Sequence, residues 1–407
     1  MNKYDQSGSL HTVANLPNGY LDAFGRQRTS DPVTLFDSQQ QYDANPLLWE
    51  DDLTANGTAT HNAEYASVDL AVTTASGDKV IRQTRQYLRY QPGKSQLVLT
   101  TFVMSAAQTN LRQRVGYFDG ENGIFLELNN SALRIVRRTN VSGTPVDNVI
   151  EQAAWNINTL PELDITKSAI FVIDLQWLGV GEVRCGFEID GNLYYVHHIH
   201  NANNLASVYM TTANLPVRYE IEATGTLSGA ATMQAICCSV ISEGGFESNR
   251  GVPFSVGNGI TGIAVTTRRA ILSIRPKATF NSIVNRGEIL LNLASVYAVT
   301  DTAYVELVYG ATLGGTPSWS SVGASSIVEY DIAGTTVTGG ITVDSFYVPA
   351  SGTGVNARPS AADRGVLSRL PLTLDIAGAN PINLSIVCTA FTGTSTCSGS
   401  LTWGELR

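Results

Sequence analysis

The sequence predicts an all-β protein in which an extended N-terminal arm precedes two β-sandwich, jelly-roll-like domains. Short stretches of alternating apolar and polar residues recur along the chain between turn-forming residues, and no long helical periodicity interrupts them. A chain of 407 residues with 43% hydrophobic residues is long enough for more than one packed core. No repeat of fixed period is present, which argues against a solenoid.

Residues 1–50 are predicted to form the arm. Residues 10–19 mix turn formers with isolated apolar residues and follow neither the period of a strand nor that of a helix. A segment of this kind has no core of its own. We therefore expect it to become ordered against another chain.

Residues 51–245 carry the strongest strand signals and are predicted to form the first sandwich. In residues 171–177, apolar side chains alternate with Asp174 and Gln176, as a half-buried strand requires. Asp190 and Gly191 are the residue pair preferred in a two-residue type I′ turn. They predict a hairpin in this domain.

Residues 246–259 are rich in glycine and predict a linker to a second sandwich, residues 260–407. A G-x-G-x-x-G pattern occurs at Gly257, Gly259 and Gly262. A dinucleotide site requires a helix after this pattern, whereas the residues that follow read as a strand. We interpret the pattern as coincidental.

Composition points to contact between proteins. Charged residues make up only 15% of the chain and the net charge is −9, which gives no electrostatic basis for nucleic-acid binding. A surface with few charges suits packing against neighbours, although uncharged polar strands give the same composition. No signal peptide and no membrane-spanning stretch are evident. The cysteines are interpreted as small buried hydrophobic residues: Cys185, Cys237, Cys238, Cys388 and Cys397.

His198 and His200 are the candidate metal ligands. They share one strand face two residues apart, a geometry that metal sites use. The predicted hairpin register, however, places Val183 opposite His198. This puts His198 on the apolar face and Glu182 on the other, so no metal site is predicted.

No catalytic residue and no cofactor are predicted, and the chain is interpreted as a non-enzyme. Glu162 and Asp164 read as part of a turn, while Glu329 and Asp331 are expected on a solvated strand face. Glycoside hydrolysis needs two carboxylates that face one cleft, and such an arrangement is not visible in a sequence. Five aromatic residues are candidates for stacking on sugars, although packing explains each of them: Trp177, Tyr194, Tyr195, Trp319 and Trp403.

Segments in both predicted sandwiches are similar to virion structural proteins of tailed phages from marine and freshwater bacteria. The segments are residues 76–84, 90–94, 111–118, 271–277 and 371–376. The resemblance implies a virion location and leaves the position in the particle open.

Part of the first sandwich also resembles the concanavalin-like lectin sandwiches at the level of fold, in residues 123–128, 171–177 and 183–196. This sandwich occurs in structural modules as well as in lectins, so the resemblance implies a fold and not a ligand.

We therefore expect a non-enzymatic structural protein of a tailed-phage virion, made in the host cytoplasm, that acts as a tail, baseplate or fibre component. Its expected partners are copies of itself, in a trimer, and other virion proteins, with neither nucleic acid nor membrane insertion. The alternatives are a capsid decoration protein and a receptor-binding protein that holds host surface glycans. A depolymerase is a third alternative. The binding residues are not identified from the sequence.

Overall fold

The computed structural model describes residues 31–158, 160, 162–245, 247, 251–350 and 370–407, together with the backbone of two short strands before residue 31. These residues are nearly all β and form two sandwiches, which confirms the predicted fold class. One 3-10 turn, Gln152–Ala154, is the helical element within these ranges. In the same part of the chain no helix has the length and apolar character to cross a membrane.

Two short strands, β1 Lys3–Tyr4 and β2 Leu10–His11, pair with each other before the first sandwich. The strands of the first sandwich run to residue 242. They are β3 Val33–Gln39, β4 Trp49–Thr54, β5 Thr58–Asn62, β6 Ser67–Val72, β7 Lys79–Thr84, β8 Gln96–Val103, β9 Leu111–Phe118, β10 Gly123–Asn129, β11 Ala132–Thr139, β12 Val146–Glu151, β13 Ala169–Leu175, β14 Val183–Ile189, β15 Asn192–Ile199, β16 Val217–Ala223 and β17 Ala231–Ser242.

The strands of the second sandwich begin at residue 252. They are β18 Val252–Gly257, β19 Ile263–Val265, β20 Arg269–Pro276, β21 Thr279–Phe280, β22 Ile283–Val284, β23 Glu288–Ala298, β24 Ala303–Tyr309, β25 Thr312–Leu313, β26 Ser320–Ser321, β27 Val328–Asp331, β28 Val337–Thr338, β29 Ile341–Val348, β30 Leu384–Ala390 and β31 Ser395–Leu406.

Two antiparallel sheets build the first sandwich. A seven-stranded sheet has the order β12-β11-β10-β9-β16-β7-β4, and an eight-stranded sheet has the order β15-β14-β13-β8-β17-β6-β5 with β3 paired to β17. One apolar cluster with contributions from both sheets fills the space between them. Tyr117 is fully buried there, and its hydroxyl lies 2.8 and 2.9 Å from the carbonyl oxygens of Leu88 and Ala213.

The predicted arm is shorter in the structure than the sequence suggested. Residues 33–39 pair with β17 and residues 49–54 pair with β7, so residues 31–50 belong to the first sandwich. Most side chains of these two strands are exposed, and Phe36 and Trp49 anchor them in the core. Residues 1–30 lie outside the described residues apart from the backbone of β1 and β2.

The second sandwich joins a six-stranded sheet, β26-β27-β20-β30-β24-β29, to a four-stranded sheet in which β18, β19 and β23 all pair with β31. Trp403 lies fully buried in its core, and its indole N–H donates to Glu405 at 3.0 Å. Val252–Gly257 pairs with β31, so the predicted linker contains a strand of this sandwich. The G-x-G-x-x-G pattern leads into strand β19 and not into a helix, as expected.

Candidate functional site

The predicted hairpin is present, but its register changes halfway along. Asp190 and Gly191 have φ values of 51° and 73°, as a type I′ turn requires, and Phe187 lies opposite Tyr194 as predicted. A β-bulge then places Cys185 opposite His197. The extra residue moves every later side chain of β15 to the other face.

This bulge overturns the predicted position of His198. The residue opposite Val183 is Ile199, and His198 lies opposite Arg184 on the outward face of the eight-stranded sheet. Gly186 allows strand β15 to approach closely at this point. A Cβ atom there would lie 2.4 Å from the carbonyl oxygen of Tyr194.

Glu182 lies beside both histidines, so its predicted position on the opposite face is also wrong. Its carboxylate is 3.3 Å from Nδ1 of His198 and 3.7 Å from Nδ1 of His200. Burial lowers the pKa of His198, which favours the neutral imidazole. Among the described residues, no group of three or more His, Cys, Asp or Glu side chains is placed to hold a metal ion.

Three further polar side chains continue this outward face. The Arg184 guanidinium contacts the Asp174 carboxylate and lies 5.0 Å from the ring centroid of Tyr195. The Tyr195 hydroxyl donates to Asp174 at 3.3 Å. Burial and the neighbouring carboxylate raise the pKa of Tyr195 to about 12. These three side chains provide one another's polar contacts, and the contacts hold strands β13, β14 and β15 together.

The outward face of the seven-stranded sheet carries a buried network of acids and arginines. Arg114 contacts Glu127 at 2.6 Å and Glu220 at 3.2 Å, and Arg218 contacts Glu220 at 2.7 Å. Burial alone would raise the pKa of Glu220, yet Arg218 and Arg114 hold it well below its usual range. A general acid for glycoside hydrolysis needs a raised pKa. The chemistry of this network therefore suits a structural role.

Three of the four other acids singled out in the sequence are bound to neighbours, and the fourth, Glu162, is exposed. Asp164 accepts from the backbone N–H of Thr166 at 3.0 Å, consistent with a turn. Glu329 is paired with Arg275 at 2.7 Å. Asp331 was expected on a solvated face, and the structure shows it buried. Its carboxylate can be buried because it accepts backbone N–H groups, including that of Gly334 at 2.8 Å.

All five aromatic candidates are buried or partly buried. Trp403 is fully buried, and the Trp177 indole N–H donates to the Met210 carbonyl oxygen. Trp319 lies under the Arg275 guanidinium, whose carbon is 3.9 Å from the ring centroid. Tyr194 and Tyr195 are partly buried on β15.

A cluster that the sequence did not reveal lies at the edge of the six-stranded sheet. The ring centroids of Tyr304 and Tyr347 are 5.2 Å apart, and those of Tyr347 and Phe391 are 5.7 Å apart. Tyr347 is 66% exposed and Phe391 is 57% exposed. We call these three residues the aromatic platform.

Polar side chains continue the same sheet face beside the aromatic platform. Arg268 holds the Glu306 carboxylate with two hydrogen bonds of 2.8 and 3.3 Å, and the Thr342 hydroxyl donates to the same carboxylate at 2.9 Å. Ser345 lies opposite Glu306 in the register. Hydrogen bonding from Arg268 lowers the pKa of Glu306. We call Arg268, Glu306, Thr342 and Ser345 the polar row.

Asp301 fixes the loop that carries Phe391. Its carboxylate accepts the backbone N–H groups of Thr392 and Gly393 at 2.8 and 2.9 Å, and these bonds lower its pKa. The backbone N–H of Phe391 donates to the Thr302 carbonyl oxygen at 3.0 Å. Hydrogen bonds of Phe391 itself and of the two residues after it therefore hold the third ring of the platform in place.

One part of this cluster, the strand that carries Tyr304 and Glu306, is indicated by the sequence. Residues 304–309 alternate in the pattern of a strand, and this alternation puts Tyr304 and Glu306 on one face. The contact with Tyr347 and Phe391 depends on pairings with β29 and β30, which sequence alone did not predict.

A second surface, built from six uncharged residues, lies on the outward side of the four-stranded sheet. We define this neutral face by six residues: Ser255, Leu293, Tyr297, Ser398, Ser400 and Thr402. They are neighbours in the pairings of β31 with β18 and β23. Leu293 is 40% exposed and Tyr297 is 45% exposed.

No protein-family model matches the chain, and no curated protein matches it. Among solved structures, the chain is similar to the legume lectin-like domain from Entamoeba histolytica, at 9% identity over 51% of this chain and 97% of that domain, with a TM-score of 0.32. A Bacteroides ovatus mixed linkage glucan GH16 protein in complex with its product matches at 8% identity over 51% and 99%, with a TM-score of 0.35. A β-1,3-glucanase from Mycobacterium marinum matches at 9% identity over 51% and 98%, with a TM-score of 0.34.

Proposed function

We propose that the chain is a non-enzymatic structural protein of a tailed-phage virion, a tail, baseplate or fibre component that assembles with copies of itself and with other virion proteins. The neutral face is the observation that carries the assembly part of this proposal. Segments of both sandwiches that resemble phage virion proteins support the proposed location in the virion.

Those segments occupy structural positions. Lys79–Thr84 is β7 and Leu111–Phe118 is β9, the two neighbours of β16 in the seven-stranded sheet. Asp78, in the same segment as β7, is fully buried and accepts from both the backbone and the side chain of Asn56, at 3.1 and 3.0 Å. The resemblance thus concerns residues that build the scaffold, which suits a structural role.

The state of three buried carboxylates supports the non-enzymatic part. Glu127 and Glu220 are each held by arginine, and Glu306 is held by Arg268. Acids neutralised in this way are poorly suited to donate a proton to a leaving group. We expect the purified protein to release no reducing ends from host polysaccharide. Release that disappears on replacing one Asp or Glu would contradict this.

The neutral face suits contact with a second copy of this chain. Two copies that each carry a net charge of −9 repel each other. A face without formal charges lets identical chains approach without repulsion between like charges. Exposed Leu293 and Tyr297 supply the apolar area that such a contact would bury.

Sedimentation of a charged variant tests this contact. Tyr297→Glu should dissociate the homo-oligomer, for which we expect a trimer, because it places a carboxylate in the contact. Tyr65→Glu, at a 63% exposed tyrosine of the first sandwich, is the matched control and should leave the oligomer intact. A wild-type monomer, or equal behaviour of both variants, would rule out the neutral face as the contact.

Location in the virion requires a separate measurement. Mass spectrometry of purified particles should detect the chain, and cryo-electron microscopy of the same particles should show whether it lies on the tail or the capsid. Absence of the chain from intact particles would contradict a virion role. Density on the capsid surface would favour a decoration protein.

A second function, the holding of host surface glycans, is favoured by a different observation. The aromatic platform exposes rings of Tyr347 and Phe391 that no other described side chain covers fully. A receptor-binding role would use this surface. It is compatible with assembly through the neutral face, which lies on the other sheet of the second sandwich.

A further inference from the structure

We infer that the aromatic platform and the polar row together form a binding site for a neutral oligosaccharide of glucose-type pyranose units. The inference deepens the glycan-binding function proposed above and rests on it. It locates the site in the second sandwich, on strands β24, β29 and β30.

The geometry of the rings favours a sugar chain. Pyranose rings with equatorial hydroxyl groups present flat C–H faces, and exposed aromatic rings bury such faces favourably. The ring centroids of Tyr304, Tyr347 and Phe391 are 5.2 and 5.7 Å apart, and the rings are tilted by 40° and 58° to one another, so they form a curved apolar surface. Tyr347 and Phe391 are the exposed rings, and each can contact one face of a sugar unit.

The polar row supplies fixed hydrogen-bonding groups beside the rings. Arg268 is positioned by Glu306 and by the Val337 carbonyl oxygen at 2.9 Å, and its side chain remains 37% exposed. The hydroxyl groups of Thr342 and Ser345 lie on the same face. Sites for small ligands commonly combine apolar contact with a few placed polar groups in this way.

The charge of the site favours a neutral ligand. Arg268 and Glu306 neutralise each other, and the half-buried Asp301 carboxylate lies at the base of the Phe391 loop. An anionic glycan or a nucleic acid would meet this carboxylate on a chain of net charge −9.

The charges beside the rings argue against a protein partner. The three rings are bordered directly by the polar row, and a protein contact would have to remove water from its Arg268–Glu306 ion pair. The residues of the neutral face carry no such charges, so that face is better suited to contact with another chain.

Calorimetric titration with cellohexaose tests the site, with laminarihexaose and maltohexaose to identify the preferred linkage. We expect binding of at least one of these neutral hexasaccharides. Tyr347→Ala should weaken it at least tenfold because the central ring is lost, and Thr342→Val should weaken it a few-fold. The control Tyr42→Ala, at an 86% exposed tyrosine of the first sandwich, should bind like the wild type.

Three results would overturn the inference. They are failure of all three hexasaccharides to bind, wild-type affinity in Tyr347→Ala, and dissociation of the oligomer by Tyr347→Ala, which would make the platform a contact between subunits. The assembly proposal is tested independently, since Tyr297→Glu acts on the neutral face. A loss of sugar binding with an intact oligomer separates the two functions.

Discussion

Arg286 of the second sandwich lies across the ring of Tyr87 of the first, with its guanidinium carbon 4.2 Å from the ring centroid. The same guanidinium donates to the carbonyl oxygens of residues 374–376. The backbone N–H of Ile376 in turn donates to the carboxylate of Glu50 on β4 at 3.2 Å. Arg286 therefore connects the two sandwiches, through the ring of Tyr87 and through residues 374–376.

Replacing this arginine should loosen the junction. Arg286→Ala removes the ring contact and three charged hydrogen bonds, which we expect to cost about 2–4 kcal/mol of coupling between the sandwiches. In differential scanning calorimetry, unfolding should separate into two transitions. Arg275→Ala, which removes a comparable contact with Trp319 inside the second sandwich, is the control and should not separate them.

The Asp78 carboxylate should be essential for the stability of the first sandwich. It is fully buried and accepts hydrogen bonds from Asn56 and Thr73. Asp78→Ala leaves those donors unsatisfied, and we expect a loss of about 2–4 kcal/mol in the free energy of unfolding. Urea denaturation measures it. Asp164→Ala, at a turn on the surface, should change it by much less.

The hairpin turn should resist a β-branched residue. Gly191 has a φ of 73°, so Gly191→Val should cost about 1–3 kcal/mol of strain and lower the melting temperature. Gly120→Val is the matched control, because Gly120 has space for a side chain and no positive φ. Equal melting temperatures for the two variants would contradict the type I′ turn.

His197 should make the first sandwich sensitive to acid. It is buried opposite Cys185, and burial, with His198 and His200 nearby, lowers its pKa below the unfolded value of about 6.5. As pH falls below this value, the unfolded chain binds more protons than the folded chain does. The free energy of unfolding therefore decreases.

Denaturation at pH 7.5 and 5.5 tests this dependence. His197→Leu should reduce the difference between the two free energies of unfolding, whereas His200→Gln, at an exposed position, should leave it nearly unchanged. A difference that is identical in wild type and His197→Leu would exclude His197 as the source.

Local sequence determined the strands and turns well. Alternation predicted a strand at residues 171–177, and the structure has Ala169–Leu175; the Asp190 and Gly191 turn is present as predicted. These features depend on neighbouring residues only. By contrast, β3 and β4 escaped prediction because they bury few side chains and owe their order to pairing with distant strands.

The candidate sites were less predictable because they depend on register. A single extra residue in β15 moved His198 from the expected apolar face to the side of Glu182. Nothing in the alternation of residues 193–199 marks that bulge. The aromatic platform joins residues from three strands, and only their long-range pairing brings Tyr304, Tyr347 and Phe391 together.

The arrangement of the four-stranded sheet has a kinetic consequence. Strands β18, β19 and β23 each pair with β31, and the contact between Asn258 and Cys397 spans 139 positions of sequence. Closing such long loops precedes any gain from pairing, which makes folding slow. Until β31 arrives, three strands expose unpaired edges at which newly made chains can aggregate. The yield of folded protein should therefore fall as the rate of synthesis rises.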